Sequence, residues 1–126
     1  MSDNIQQASC RRLVVVENDE NVRRSLTMVL RARGFCVDVF RNGPELLASR
    51  AAPDADCMLI DYRMPRMDGV ELLKRLREIG NTTPALMLTG YFSPTLRKRA
   101  VDAGYFEVLE KPTDARTLAE HIARAS

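Results

Sequence analysis

The chain has 126 residues and a formal net charge of +2, with 45% hydrophobic and 29% charged residues. That length suits one domain around a single core, and the ordinary composition excludes collagen-like, low-complexity and disordered classes. No apolar run approaches the roughly 20 residues of a membrane-spanning helix, and so small a net charge does not by itself argue for a nucleic-acid partner.

The start, Met1 to Ser9, is polar and lacks the apolar centre of a signal peptide, so residues 1–11 read as a short flexible tail ahead of one domain over 12–126. Leu13 to Val16 is a β-branched run that suits a strand buried on both faces. Val22, Leu26, Val29 and Leu30 then recur at helical spacing, with Gly34 as the stop. Phe35 to Phe40 suits a second strand, and Gly43-Pro44 opens a short helix through about Arg50. Cys57 to Ile60 is a third apolar strand ending at Asp61. After a loop carrying Met64-Pro65 and Asp68-Gly69, a helix presents Val70, Leu73 and Leu76 on one face and stops at Gly80. Ala85 to Leu88 is strand four, about Pro94 to Ala103 a fourth helix, and Phe106 to Leu109 strand five. Leu118, Ile122 and Ala125 mark the inner face of a last helix. Such alternation requires βαβ crossovers, hence a parallel sheet covered by helices on both sides, in one α/β domain.

Of the three cysteines, Cys36 and Cys57 lie in apolar runs and are expected as small buried thiols; with no CxxC motif, a reducing cytoplasm is the natural reading. The only histidine, His121, reads as a solvated residue on a polar helix rather than a ligand.

In an open parallel sheet, ligands bind beyond the C-terminal ends of the strands. Glu17, Asn18 and Asp19 follow strand one, Asp61 strand three, Thr89-Gly90 strand four and Glu110-Lys111-Pro112 strand five. Acids, a hydroxyl and a lysine therefore converge on one rim, a set suited to phosphoryl transfer onto a carboxylate. An exposed, ionised Asp is the nucleophile, a hard cation neutralises phosphoryl oxygens, and the lysine binds as a point charge. Taken singly these residues are also ordinary turn and cap residues, and Asp19 fits an N-cap better than a ligand. The combination, one polar group at the end of each successive strand, favours a site.

The segments Val15-Val16-Glu17-Asn18, Leu59-Ile60-Asp61-Tyr62-Arg63-Met64-Pro65-Arg66-Met67-Asp68-Gly69, Leu88-Thr89-Gly90 and Leu109-Glu110-Lys111-Pro112 resemble those of response regulator receiver domains, over about residues 12 to 125. Leu88-Thr89-Gly90-Tyr91 and Glu110-Lys111-Pro112 look most similar to receivers of FixJ-type transcription regulators. The resemblance implies a flavodoxin-like (βα)5 doubly wound sheet, order 2-1-3-4-5, in a cytoplasmic, phospho-accepting switch rather than an enzyme, assisting only its own phosphorylation and dephosphorylation. Asp61 would accept the phosphoryl group from a sensor histidine kinase, Thr89 would move toward it, and Lys111 would pair with a phosphoryl oxygen. Glu17, Asn18, Asp61 and the backbone carbonyl of Arg63 would hold Mg2+, with Mn2+ able to substitute. The Lys111-Pro112 bond would be cis.

Two positions depart from the family pattern. Asn18 stands where a ligating Asp is usual, which removes one negative charge and implies weaker Mg2+ binding. Val108 stands where many receivers carry the switching Tyr or Phe, so coupling would use backbone shifts or another side chain such as Tyr91. Arg97, Lys98 and Arg99, with Arg116 and Arg124, read either as a solvated face or as an output surface on helix 4, strand 5 and helix 5 for an output domain, a downstream protein or a second copy. No nucleic-acid recognition motif is visible, so direct contact by this domain is not expected. A phosphate-independent pseudo-receiver acting as an interaction module is the alternative. A phosphatase or phosphotransferase with an aspartyl intermediate is disfavoured, because Arg63 occupies the place of its second acid.

Overall fold

A computed structural model describes residues 10–126. Strands β1 (Arg12–Val16), β2 (Cys36–Phe40), β3 (Cys57–Asp61), β4 (Ala85–Thr89) and β5 (Glu107–Glu110) alternate with helices α1 (Glu20–Ala32), α2 (Gly43–Ala48), α3 (Gly69–Glu78), α4 (Pro94–Ala103) and α5 (Ala115–Ala125). All pairings are parallel, and the order is β2-β1-β3-β4-β5, as the resemblance implies. A 3₁₀ turn at Ala52–Asp54, built around Pro53, precedes β3 and has no counterpart in the apolar periodicity.

Successive side chains of a strand point to opposite faces, so the sheet divides its apolar residues between two cores. Val14, Val16, Met58, Ile60, Ala85, Met87 and Val108 meet Leu46, Leu72, Leu73, Leu76, Leu96 and Ala100 from α2, α3 and α4. Leu13, Val15, Cys57, Leu59, Leu86, Leu88 and Leu109 meet Leu30, Leu118 and Ile122 from α1 and α5. Each fully buried aliphatic side chain contributes roughly 1.5–3 kcal/mol by leaving water, and the three inner strands supply most of them. β3 and β4 are buried at every position, which accounts for their unbroken apolar runs.

Helix starts are set by side-chain caps. Asp19 accepts from the Val22 amide, Asn42 from Glu45, Asp68 from Glu71, Ser93 from Leu96 and Asp114 from Thr117. Asp19 is thus an N-cap, as its spacing suggests. Asp68 and Glu71 form a reciprocal capping box that fixes where α3 begins.

The cysteines require a correction. Cys57 is buried, and burial pushes its thiol up to about 12. Cys36, expected inside, is exposed and disulfide-bonded to Cys10 with a Cα–Cα distance of 5.9 Å. The reason is its place in the sheet. β2 is an edge strand, and the Cys36 amide donates to the Arg11 carbonyl at 2.8 Å, which brings the residue before Arg11 alongside. The disulfide removes the support that cysteine usage lent to a reducing compartment. The tail expected over residues 1–11 lies mostly outside the described residues; of its last two residues, Cys10 is bridged to Cys36 and Arg11 donates to the Ser126 hydroxyl. Among the described residues, no helix is long and apolar enough to cross a membrane.

The cross-link joins residues 26 apart in sequence and restrains the unfolded chain accordingly. Reduction, or a Cys36→Ser substitution, is expected to lower unfolding stability by about 2–4 kcal/mol. Denaturant unfolding with and without reductant checks this; a Cys57→Ser control keeps its reductant dependence, whereas Cys36→Ser loses it.

Candidate functional site

Strand register decides which polar residues share the rim. Val16 pairs with Ile60, Asp61 with Leu88 and Thr89 with Glu110, so Glu17, Asp61, Thr89 and Lys111 leave the sheet at nearly one level. Asp61 and Thr89 are the last residues of their strands rather than the first beyond them. This places them deeper than a loop position would: Thr89 is fully buried and Asp61 only 7% exposed.

Lys111 ties the group together. Its Nζ lies 2.6 Å from Glu17 Oε1 and 3.2 Å from Asp61 Oδ1, and its backbone amide donates to the Thr89 carbonyl at 2.8 Å. Glu17, 1% exposed, also accepts the Asp19 amide at Oε2, 3.0 Å away. The Lys111-Pro112 peptide is cis, as implied. The Thr89 hydroxyl accepts from the Tyr91 amide at 2.9 Å. The Tyr91 ring lies beneath the Arg63 guanidinium, 3.9 Å from its centroid.

Two buried carboxylates share one ammonium, and the Glu17 charge disfavours the charge on Asp61. Burial, then the Glu17 carboxylate, raises the Asp61 carboxyl to about 6, with Lys111 opposing the rise. The expected nucleophile is therefore neither exposed nor held fully ionised by its surroundings. For Lys111, burial works against the charge, but Glu17 and Asp61 outweigh it and hold the ammonium above its ordinary range.

Beside the carboxylates, Asn18, Tyr62, Arg63, Met64, Pro65 and Asp68 line a recess of about 410 Å³. Glu17, Asp61, Asn18 and the Arg63 carbonyl offer oxygen donors only, and each carboxylate oxygen bonded to Lys111 or to an amide keeps a further lone pair. This chemistry fits a hard cation that retains waters. It does not fit zinc, and among the described residues no group of three or more His, Cys, Asp and Glu side chains is arranged for a metal.

Gly69 sits against the end of β3: a Cβ there would fall 2.6 Å from the Asp61 carbonyl oxygen and 3.2 Å from Tyr62 Cα. Its amide donates to the Tyr62 carbonyl at 2.8 Å, and its carbonyl accepts the buried Tyr105 hydroxyl at 2.7 Å. Tyr105 immediately precedes the strand-five run Phe106 to Leu109 in the sequence. Nothing in periodicity shows that its hydroxyl reaches a residue 36 positions away. Val108 is buried in the core beneath α4, so it is no mobile reporter. Of the basic residues on α4, Arg97 makes two bonds to Glu107 and Arg99 reaches the Tyr62 hydroxyl at 3.4 Å. Arg116 pairs with Glu120 on α5.

The sign of the Asp61 effect follows from its raised carboxyl. Stability is fully present below the unfolded value near 4 and is lost as pH rises through the folded value of about 6. Asp61→Asn is therefore expected to stabilise the chain by about 1–2 kcal/mol at pH 8, in chelator, with the difference vanishing near pH 4. Urea unfolding across that range measures it. Gly69→Ala, with no room beside Asp61, is expected to cost at least about 2 kcal/mol, measured in the same way.

The comparisons with known proteins agree with this fold. The family model described as the response regulator receiver domain matches residues 13–123. The response regulator MprA of Mycobacterium ulcerans (strain Agy99) is 38% identical over 101 residues, which are 80% of this chain and 44% of that protein. The chain thus spans less than half the length of that relative. Among solved structures, the Vibrio cholerae chemotaxis protein CheY4 superposes with a TM-score of 0.87 at 28% identity, covering 94% of this chain and all of that one. The crystal structure of FixJ-N superposes with a TM-score of 0.82 at 33% identity, covering 91% of this chain and 92% of that one. With its five-stranded order, its carboxylate–lysine rim and these likenesses together, the chain belongs to the response regulator receiver domain family of two-component signalling.

Proposed function

We propose that this receiver takes a phosphoryl group onto Asp61 from the phosphohistidine of a sensor histidine kinase, and that the added charge switches its outer face. The observation that carries the reading is the Lys111 ammonium, 3.2 Å from Asp61 Oδ1 and 2.6 Å from Glu17. It stands at the meeting point of three strand ends.

In the transfer, an Asp61 carboxylate oxygen attacks phosphorus and the phosphorus–nitrogen bond to the donor imidazole breaks. Lys111 then follows the new charge, binding a phosphoryl oxygen in place of part of its carboxylate contact. Glu17, Asn18, Asp61 and the Arg63 carbonyl would hold Mg2+, or Mn2+ in its place, which supplies positive charge against the phosphoryl oxygens. Burial of Asp61 excludes bulk water from the acyl phosphate once formed. Thr89 gives up the Tyr91 amide as its hydroxyl turns to the phosphoryl group, and the Arg63–Tyr91 stack links that loop to the one that follows β3. The two states differ by which partners these groups choose, and phosphorylation biases their equilibrium.

The output reading places the change on α4, β5 and α5. Arg97 and Glu107 bridge α4 to β5 there, and Lys98 stands exposed beside them. A homodimer, an output domain or a downstream protein engages that face, in the cytoplasm and without direct nucleic-acid contact by this domain.

Incubation with Mg2+ and acetyl phosphate should add one phosphoryl group by intact mass, and Asp61→Asn should abolish it. Absence of the adduct, with a histidine kinase as donor also ineffective, overturns the reading. Lys111→Met is expected to slow acceptance about 100-fold, in line with loss of one preorganised positive donor. Asn18→Asp should tighten Mg2+ binding about tenfold, on roughly 1–2 kcal/mol of added attraction in a water-like dielectric; a cation titration followed by amide shifts at Tyr62 and Arg63 reads this.

A further inference from the structure

We infer that the Tyr105 hydroxyl is a positioning group for the acceptor site, acting through Gly69 on the loop that follows Asp61. Tyr105 is 3% exposed and lies between α4 and β5. A ring alone would fill its place in the core, so volume does not account for the hydroxyl. A buried hydroxyl is costly unless bonded, and this one donates to the Gly69 carbonyl at 2.7 Å.

Gly69 is where the loop closes. Its amide returns to the Tyr62 carbonyl, and it packs on the Asp61 backbone so tightly that a Cβ would clash. Residues 62–68 are thereby strung between Asp61 and a fixed point one residue into α3. Within them the Met67 amide donates to the Pro65 carbonyl, and Arg66 takes a left-handed φ of 73°. Capping by Asp68 defines the helix start but does not attach it to the sheet. Tyr105 does attach it. The strand it leads into is itself held, with the Phe106 amide on the Ala85 carbonyl and the Lys111 amide on the Thr89 carbonyl.

One strand therefore reaches the acceptor segment twice. Lys111 at its far end grips the Asp61 carboxylate, and Tyr105 at its near end grips the loop carrying the Arg63 carbonyl. The tie sets where that carbonyl stands relative to the carboxylates, so it tunes cation affinity rather than the chemistry of transfer. This rests on the reading of Asp61 as a Mg2+-assisted acceptor.

Tyr105→Phe removes the hydroxyl and keeps the ring. In the metal-free chain, amide exchange at Gly69 and Met67 should quicken about three- to tenfold, the equivalent of one lost hydrogen bond, while Val15 in β1 stays as it was. In acetyl-phosphate labelling, the Mg2+ concentration for half-maximal rate should rise by a similar factor, with the rate at saturating Mg2+ within about twofold of the parent. Ile122→Val, which loosens the opposite core, serves as a control for general destabilisation and should leave both readouts unmoved. The inference is overturned if Tyr105→Phe retains the parent's loop exchange and Mg2+ midpoint, or if Ile122→Val shifts them equally. Failure of the parent chain to be labelled at all would instead sink the acceptor reading, and the exchange measurement would still decide whether Tyr105 fixes the loop.

Discussion

The structure depends on a single ammonium placed between two buried carboxylates. Removing Glu17 and Asp61 from water is costly, and one lysine offsets the cost without cancelling it, since the cluster keeps an excess negative charge. Burial, and after it that imbalance, raises the Asp61 carboxyl. The imbalance also makes the rim receptive to a further positive charge. A fully neutralised cluster would be more stable and less responsive. The site thus exchanges folding stability for an unmet electrostatic demand.

Such an arrangement requires strands that cannot slip. A one-residue shift of β3 would turn Asp61 to the other face and send Ile60 and Leu59 into the wrong cores. The two apolar layers resist this, because Ile60 belongs with Val16 and Met87 under one set of helices and Leu59 with Val15 and Leu88 under the other. Site geometry is in this sense a consequence of alternating burial along inner strands. The edge strand is under weaker constraint, and there a covalent bond, Cys10 to Cys36, does part of the work.

How far each feature was legible in the sequence follows from its physical origin. Asp61, Thr89 and Lys111 were legible because each ends an apolar run, and runs in parallel sheets end on one rim. Asp19 was legible as a cap because capping is local. Cys36 was misread because periodicity reports that a segment is a strand but not whether it lies at the edge. The depth of Asp61 escaped for a similar reason: strand assignments are uncertain by a residue at each end, and that residue separates a buried carboxylate from an exposed one. The Lys111–Glu17 pair and the Tyr105–Gly69 bond join residues 94 and 36 positions apart, so only the folded chain brings them together.

Val108 gives these long-range ties their significance. A buried valine packed beneath α4 does not carry a signal by changing rotamer, which leaves the backbone or another side chain such as Tyr91. β5 is the shortest path. It begins just after Tyr105, which holds the loop beyond Asp61, and Lys111 follows its end and holds the carboxylate itself. Between them Glu107 binds Arg97 on the outside of α4. On the proposed function, a shift of Lys111 toward a phosphoryl oxygen would pull on a strand whose other end is tied through Tyr105 to the loop beyond Asp61. Such a pull would turn or bend the strand about that tie, and the Arg97–Glu107 bridge joins its exposed edge to α4. With a valine in place of the aromatic reporter, the strand tied at both ends to the acceptor side of the sheet stands beside the Thr89–Tyr91 contact as a route for coupling.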